Sequence, residues 1–195
     1  MQLKKKSVDK VGFFRVLLCK VFYKREKQKK VVNDVNTDNA NIKFGKVDSL
    51  DFAIYLSKKA RALNLDVNVT KIQKWLYICY GLYFAATKEQ LLNERPKVWD
   101  YGPAFPKVHS KQKKHKDGLD SLESSCLLEE IDDFEVIEDI INATLAHFGK
   151  WSASALVSWT HEEGKAWYNT KQQDGMYIPI DNNDIYNEFK GYVAQ

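Results

Sequence analysis

The segment from Thr70 to Pro103 constrains this chain more than any other, because a long amphipathic pattern runs straight into a Trp-x-Tyr-Gly-Pro turn. Ile72, Trp75, Leu76, Cys79, Leu82, Tyr83 and Ala86 recur at helical spacing and form one broad apolar stripe. Thr70 and Gln73 have the spacing of a capping box, the hydroxyl accepting from the third helical N–H while the amide reaches back. Lys71 and Lys74 fall away from the stripe, which predicts a solvated face that is also open to an acidic partner. Gly81 lies inside the helix, where glycine costs ~1 kcal/mol against alanine. That position predicts another segment packed closely upon it. Trp99, Tyr101, Gly102 and Pro103 then read as a rigid turn, with glycine supplying an unusual backbone angle and proline suited to the next helix start. The same aromatics, Trp99 and Tyr101, are equally the residue types that dominate binding hot spots, and the sequence leaves both roles open.

Elsewhere the pattern is helical. A helix is predicted from Asp48 or Ser49 to Asn64, burying Phe52, Leu56 and Leu63. Leu91 to Tyr101 reads as irregular or as a small β hairpin. A lysine-rich helix follows Pro103 and Pro106 and ends near Asp117-Gly118. The next runs from Asp132 to Phe148, with Gly149 placed for a left-handed C-cap. Ser152 caps a short helix through Trp159, and Thr160 with Glu163 repeats the capping-box spacing to start another. Asp181 caps the last helix, with Asp184 at its third position and Ile180 opposite Ile185 as a hydrophobic staple. The fold expected is predominantly α: a compact multi-helix domain over 48–195 with at most a short β segment.

Residues 1–47 are a different object. The first 30 carry eleven basic residues against two acidic ones, a balance of +9, whereas the rest of the chain balances at −5. From Ser7 to Lys30, Val11, Phe14, Leu17, Leu18, Val21 and Phe22 cluster on one side of a basic amphipathic helix. Arg15 and Lys20 break the apolar run, which rules against a spanning helix or a secretory signal. Asn33 to Lys46 reads as a linker. Cys19, Cys79 and Cys126 are odd in number and far apart, so neither a disulfide framework nor a zinc site is expected, and a cytoplasmic protein is.

No catalytic pattern emerges. His109, His115, His147 and His161 lie in no metal-binding helix motif, and no nucleophile elbow, Walker loop or dinucleotide fingerprint occurs. His161 is the best single histidine, but it is expected in the first turn after a Thr160 cap, bonded locally. The lysines from Lys107 to Lys116 lack the interleaved aromatics of a nucleic-acid surface. No enzyme activity, cofactor, metal or small-molecule substrate is expected.

The ordered motifs resemble the Panacea domain, the SocA/GepA-like antitoxin domain of bacteria and their phages. Lys71-Ile72-Gln73-Lys74-Trp75-Leu76-Tyr77 with Gly81 in register is similar to the family's Lys-Leu-Gln-Lys-Leu-Leu-Tyr-x-x-x-Gly helix. Leu91-Leu92, then Val98-Trp99-Asp100-Tyr101-Gly102-Pro103 and Pro106, resemble its Ala-Trp-x-Tyr-Gly-Pro-x-x-Pro turn. Ser152-Ala153 through Thr160-His161-Glu162 and Trp167 resemble a later signature. The chain departs at Val108-His109, where the family often has an aromatic, and at Lys88-Glu89-Gln90-Leu91, which replaces a Gly-x-Pro-Leu.

The resemblance spans about residues 48–195 and implies an antitoxin that binds a toxin encoded nearby. Lys71, Lys74, Trp99, Tyr101 and His161 become candidate partner contacts, while Thr70, Gln73, Trp75, Gly81, Gly102, Pro103 and Trp167 carry the structural motif. In the SocA branch, neutralisation runs through delivery of the toxin to a ClpXP-type protease. The alternative function is an accessory protein that meets nucleic acid, another polyanion or a membrane surface through residues 4–30.

Overall fold

A helix with no solvated face organises the domain. The computed structural model describes residues 45–115, 118–124 and 131–193, and the basic helix and most of the linker expected upstream lie outside them. Helix α1 spans Ser49–Ala62 and α2 spans Val69–Thr87; strands β1 (Lys97–Trp99) and β2 (Gly102–Ala104) precede α3 (Pro106–Lys114). A 3-10 turn at Leu119–Ser121 leads on to α4 (Phe134–Phe148), α5 (Ala153–Thr160), α6 (Ala166–Asp174) and α7 (Asn182–Phe189). The domain is predominantly α, with one two-stranded sheet among the described residues.

Every residue from Lys71 to Tyr83 of α2 is buried. The apolar stripe is therefore the inner part of a helix enclosed all round, as expected only for a core helix. Lys71 and Lys74, predicted on a solvated face, are 3% and 2% exposed. The predicted capping box is also corrected: Asn68 is the N-cap and accepts from the Lys71 N–H, while Thr70 lies within the helix. Asparagine two residues upstream offers the same capping oxygen, which frees Gln73 for a tertiary role.

The caps at Ser152 and Asp181 fall where the sequence put them, and Asp48 proves to cap α1. Asp48 accepts from the Leu50 and Asp51 N–H groups, Ser152 from Ala155, and Asp181 from Asn183 and Asp184. Ile180 and Ile185 are both fully buried, as a staple requires. Three details differ. Leu63 is 55% exposed because α1 ends one residue earlier. Gly149 is right-handed (φ −59°, ψ −36°), so it is not the left-handed cap expected. Thr160 ends α5, its hydroxyl donating back to the Val157 carbonyl at 2.9 Å, and α6 starts at Ala166.

The chain's early segment is stitched to the core. Val47 N–H donates to the Leu91 carbonyl at 3.0 Å and Asn93 N–H returns to Val47 at 2.8 Å. Lys46 bonds Asp133, which also accepts from the Tyr83 hydroxyl at 2.7 Å. On α2's other sides, Cys79 meets Thr144 of α4 at 3.4 Å, deep in the core.

The hairpin is small but extended by a third segment. β1 and β2 pair antiparallel in the register Lys97–Ala104, Val98–Pro103 and Trp99–Gly102. Alternation in such a ladder turns the backbone groups of Val98 and Pro103 outward. Val98 accordingly donates to Ile178 at 2.9 Å and accepts from Tyr177 at 2.7 Å, while Ile180 donates to Pro96 at 2.8 Å. Pro103 lies in β2, not at the helix start; its missing N–H falls on the outward side, where a strand tolerates it. Pro106 takes the first helical position instead.

Gly81 has the close neighbour its position predicted. A β-carbon there would stand 2.2 Å from ring atoms of Phe189, the ring that also meets Tyr77 edge-on at 5.4 Å. Overpacking costs about 1–3 kcal/mol, more than the ~1 kcal/mol of helix propensity that alanine returns. Gly81→Ala is expected to lower the melting temperature of the domain; a higher one measured by circular dichroism would refute this packing.

Candidate functional site

Two α2 side chains close the open edge of β2. The Gln73 carbonyl oxygen accepts from the Phe105 N–H at 2.7 Å, and its amide donates to Gln112 of α3 at 2.9 Å. One residue on, the Lys74 ammonium donates to the Pro103 carbonyl at 3.0 Å. Backbone groups that a further strand would satisfy are thus satisfied by side chains, as buried backbone requires. Gly102, just before Pro103, stands against Lys74 at φ +93°, with a β-carbon there only 2.6 Å from the Thr160 hydroxyl and 2.8 Å from the Lys74 nitrogen. Both the angle and the space demand glycine.

This arrangement leaves a cleft of about 300 Å³ between the first turns of α2 and the hairpin tip. Val69, Thr70, Gln73 and Lys74 form one wall, Trp99 through Gly102 the other, with His109 of α3 and Tyr177 at the ends. Trp99 packs edge-on against His109 at 4.8 Å and Tyr177 at 6.3 Å. Tyr177 donates its hydroxyl to Asp100 at 3.3 Å and holds φ at +65°. A bulky residue there is strained; the bond between its N–H and Val98 holds it.

Four large hydrophobic side chains are exposed among the described residues: Leu63 (55%), Val69 (41%), Tyr101 (75%) and Tyr177 (60%). Three of them border this cleft. A second cleft, about 400 Å³, lies between α1, the start of α2 and the end of α3. It is larger, but Asp120 in its lining is answered internally by Arg61 at 3.6 Å and Ser57 at 3.3 Å. The aromatic cleft is the better candidate because the two exposed tyrosines, Tyr101 and Tyr177, line it and not the larger one.

Of the residues singled out in the sequence, Lys74, Trp99 and Tyr101 meet in the cleft, with Thr70, Gln73 and Gly102. Lys71 does not join them; it lies over the Trp75 ring at 5.1 Å and reaches Asp66 at 3.6 Å. His161 and Trp167 form a layer behind the hairpin: Trp167 donates to the Trp99 carbonyl at 3.0 Å, and His161 stacks on Trp167 at 3.7 Å, nearly parallel. His161 is thus the residue closing α5 and not part of a first turn. Burial, with Lys74 and Lys171 nearby, holds its imidazole below the usual range. Val69, His109 and Tyr177 were not singled out. A positive-φ tyrosine pairing with a distant strand leaves no local signal.

Lys74 is the electrostatic anomaly. Burial lowers it from 10.5 to about 7. Between about pH 7 and pH 10 the unfolded chain keeps a proton on this lysine that the folded chain has released, so stability climbs with pH there. Lys165, which burial also lowers, adds in the same direction. Lys74→Met should flatten the climb by up to ~1.4 kcal/mol per pH unit, read from denaturant midpoints across that window. Equal slopes would mean that Lys74 is not desolvated.

Among the described residues, no three His, Cys, Asp or Glu side chains are placed to hold a metal, and no helix is long and apolar enough to cross a membrane. A family model described as antitoxin SocA-like, Panacea domain, matches residues 72–168, from the first turn of α2 to the first turn of α6. Tyr177 lies beyond that span. The curated Antitoxin SocA of Caulobacter vibrioides (strain NA1000 / CB15N) is 28% identical over 132 residues, covering 62% of this chain and 69% of its own length. No solved structure gives a significant match. With the helix from Ile72 onward, the hairpin and the later signature inside the matched span, residues 72–168 of this chain carry a SocA-like Panacea domain.

Proposed function

We propose that this protein is an antitoxin that neutralises the product of an adjacent reading frame by binding it directly, with the aromatic cleft as its contact face. The observation that carries this reading is the convergence of Val69, Tyr101 and Tyr177 on one cleft beside Trp99. Tyrosine and tryptophan supply large contact areas at low cost in side-chain entropy, and they dominate hot spots when a partner dries them. The protein acts without catalysis: it covers the toxin's active or target-binding surface. Its site of action is the cytoplasm, where the toxin would be made.

The basic extension adds toxin-specific contacts in this account. Removing residues 1–44 spares the Lys46 and Val47 contacts with the core, and should weaken neutralisation without unfolding the domain. Undiminished rescue by that truncation would remove the extension from the mechanism. The charge of residues 1–30 favours a second reading, contact with a polyanion or a membrane surface, which predicts binding to DNA or anionic vesicles that falls steeply with salt.

Growth on inducing the adjacent frame, alone and with this protein, tests the main reading. Wild type and Leu63→Ala should rescue, whereas Tyr101→Ala with Tyr177→Ala should fail while still folding cooperatively. Each truncation should cost about 1–2 kcal/mol of binding, roughly tenfold in affinity. Full rescue by the double variant would place the contact face elsewhere. Toxin abundance separates the mechanisms: steric neutralisation leaves it unchanged, whereas delivery to a ClpXP-type protease depletes it.

A further inference from the structure

The cleft is aromatic at its rim and cationic in its wall. Lys74 is 2% exposed, and its ammonium makes one hydrogen bond, to the Pro103 carbonyl. Beyond that bond, no acceptor and no carboxylate among the described residues pairs with it. Burial without a counter-charge lowers Lys74 to about 7, and a carboxylate seated on it would favour the charged ammonium again. The acid in the cleft lining, Asp100, is exposed at the rim and occupied by the Tyr177 hydroxyl.

We propose that the cleft takes an acidic side chain from an extended segment of the toxin, its carboxylate seated on the Lys74 ammonium and its backbone flanked by Trp99, Tyr101 and Tyr177. This rests on the reading of the cleft as the toxin-binding face. Charge, bond strength and size all bear on the occupant. Lysines neighbour the site: after burial, Lys113 contributes to lowering His109, and Lys74 and Lys171 to lowering His161 behind the hairpin. A carboxylate on Lys74 makes a charge-assisted hydrogen bond in a dry site, the strong kind. The volume, about 300 Å³, is at the small end of ligand pockets and suits a side chain with its flanking backbone, not a docked helix. Aromatic walls also attract cations, but a cationic side chain here would face Lys74 without a buried counter-charge.

A double-mutant cycle on the full-length protein and the adjacent-frame product decides this. Each surface Asp or Glu of the toxin is changed to its amide, and affinity is measured against wild type and Lys74→Met, which keeps the apolar stem. One toxin position should lose roughly tenfold or more against wild type and almost nothing against Lys74→Met. Asp100→Asn, an exposed change that spares the hairpin's attachment to α2, should tighten the wild-type complex several-fold. Additive losses at every toxin carboxylate overturn the proposal. So does weaker binding by Asp100→Asn, which would indicate a cationic occupant, and this arm stands even if Lys74→Met fails to fold. If Tyr101→Ala and Tyr177→Ala leave affinity unchanged, the cleft is not the toxin face at all. If they weaken binding while no carboxylate couples to Lys74, only the acidic anchor is lost.

Discussion

Gln73 and Lys74, neighbours on one helix, do the work of a missing β-strand. A two-stranded hairpin is marginal alone, and its outward-facing backbone groups must be answered wherever they are buried. On one side residues 177–180 answer them; on the other, the Gln73 amide and the Lys74 ammonium do so from α2. Two sequence motifs that look separate, the Lys-Ile-Gln-Lys helix and the Trp-x-Tyr-Gly-Pro turn, are therefore halves of one joint. Gly102 is its tightest point, and Pro103 fits because only its carbonyl needs a partner on that side.

Attaching the hairpin in this way has an electrostatic consequence. Gln73 is neutral and fully used, bonding both the hairpin and Gln112 of α3. Lys74 brings an ionisable nitrogen into a dry wall and has one acceptor there, the Pro103 carbonyl. The same joint that fixes the turn thus leaves a lysine nitrogen without a counter-charge beside exposed aromatic rings. Trp167 and His161 back the hairpin by bonding and stacking behind Trp99, so the aromatic wall rests on a rigid layer. A rigid, partly apolar face with one unfilled charge is suited to recognising a partner, because little side-chain freedom remains to be lost on binding.

Much of this was legible locally. The caps at Ser152 and Asp181, the helix start at Asp48–Ser49, the burial of Cys79 and the close approach at Gly81 follow from residue type and spacing. The hairpin was visible as an option, and Trp99, Tyr101 and Lys74 were singled out by motif. What misled was chemistry with two uses. Gln73 matched a capping role, yet Asn68 caps the helix and the amide serves the tertiary joint. The two lysines looked solvated because lysine almost always is, and only tertiary packing encloses α2 on every side. Tyr177 left no trace, since its backbone strain and its pairing with Val98 arise from a contact between distant segments.

Amide hydrogen exchange across the protein, free and in complex with the adjacent-frame product, tests the central claim most directly. The account predicts new protection concentrated in the first turns of α2, in the hairpin tip around Tyr101 and Gly102, and in the segment around Tyr177. Protection confined to other surfaces, with these three segments exchanging as in the free protein, would contradict it.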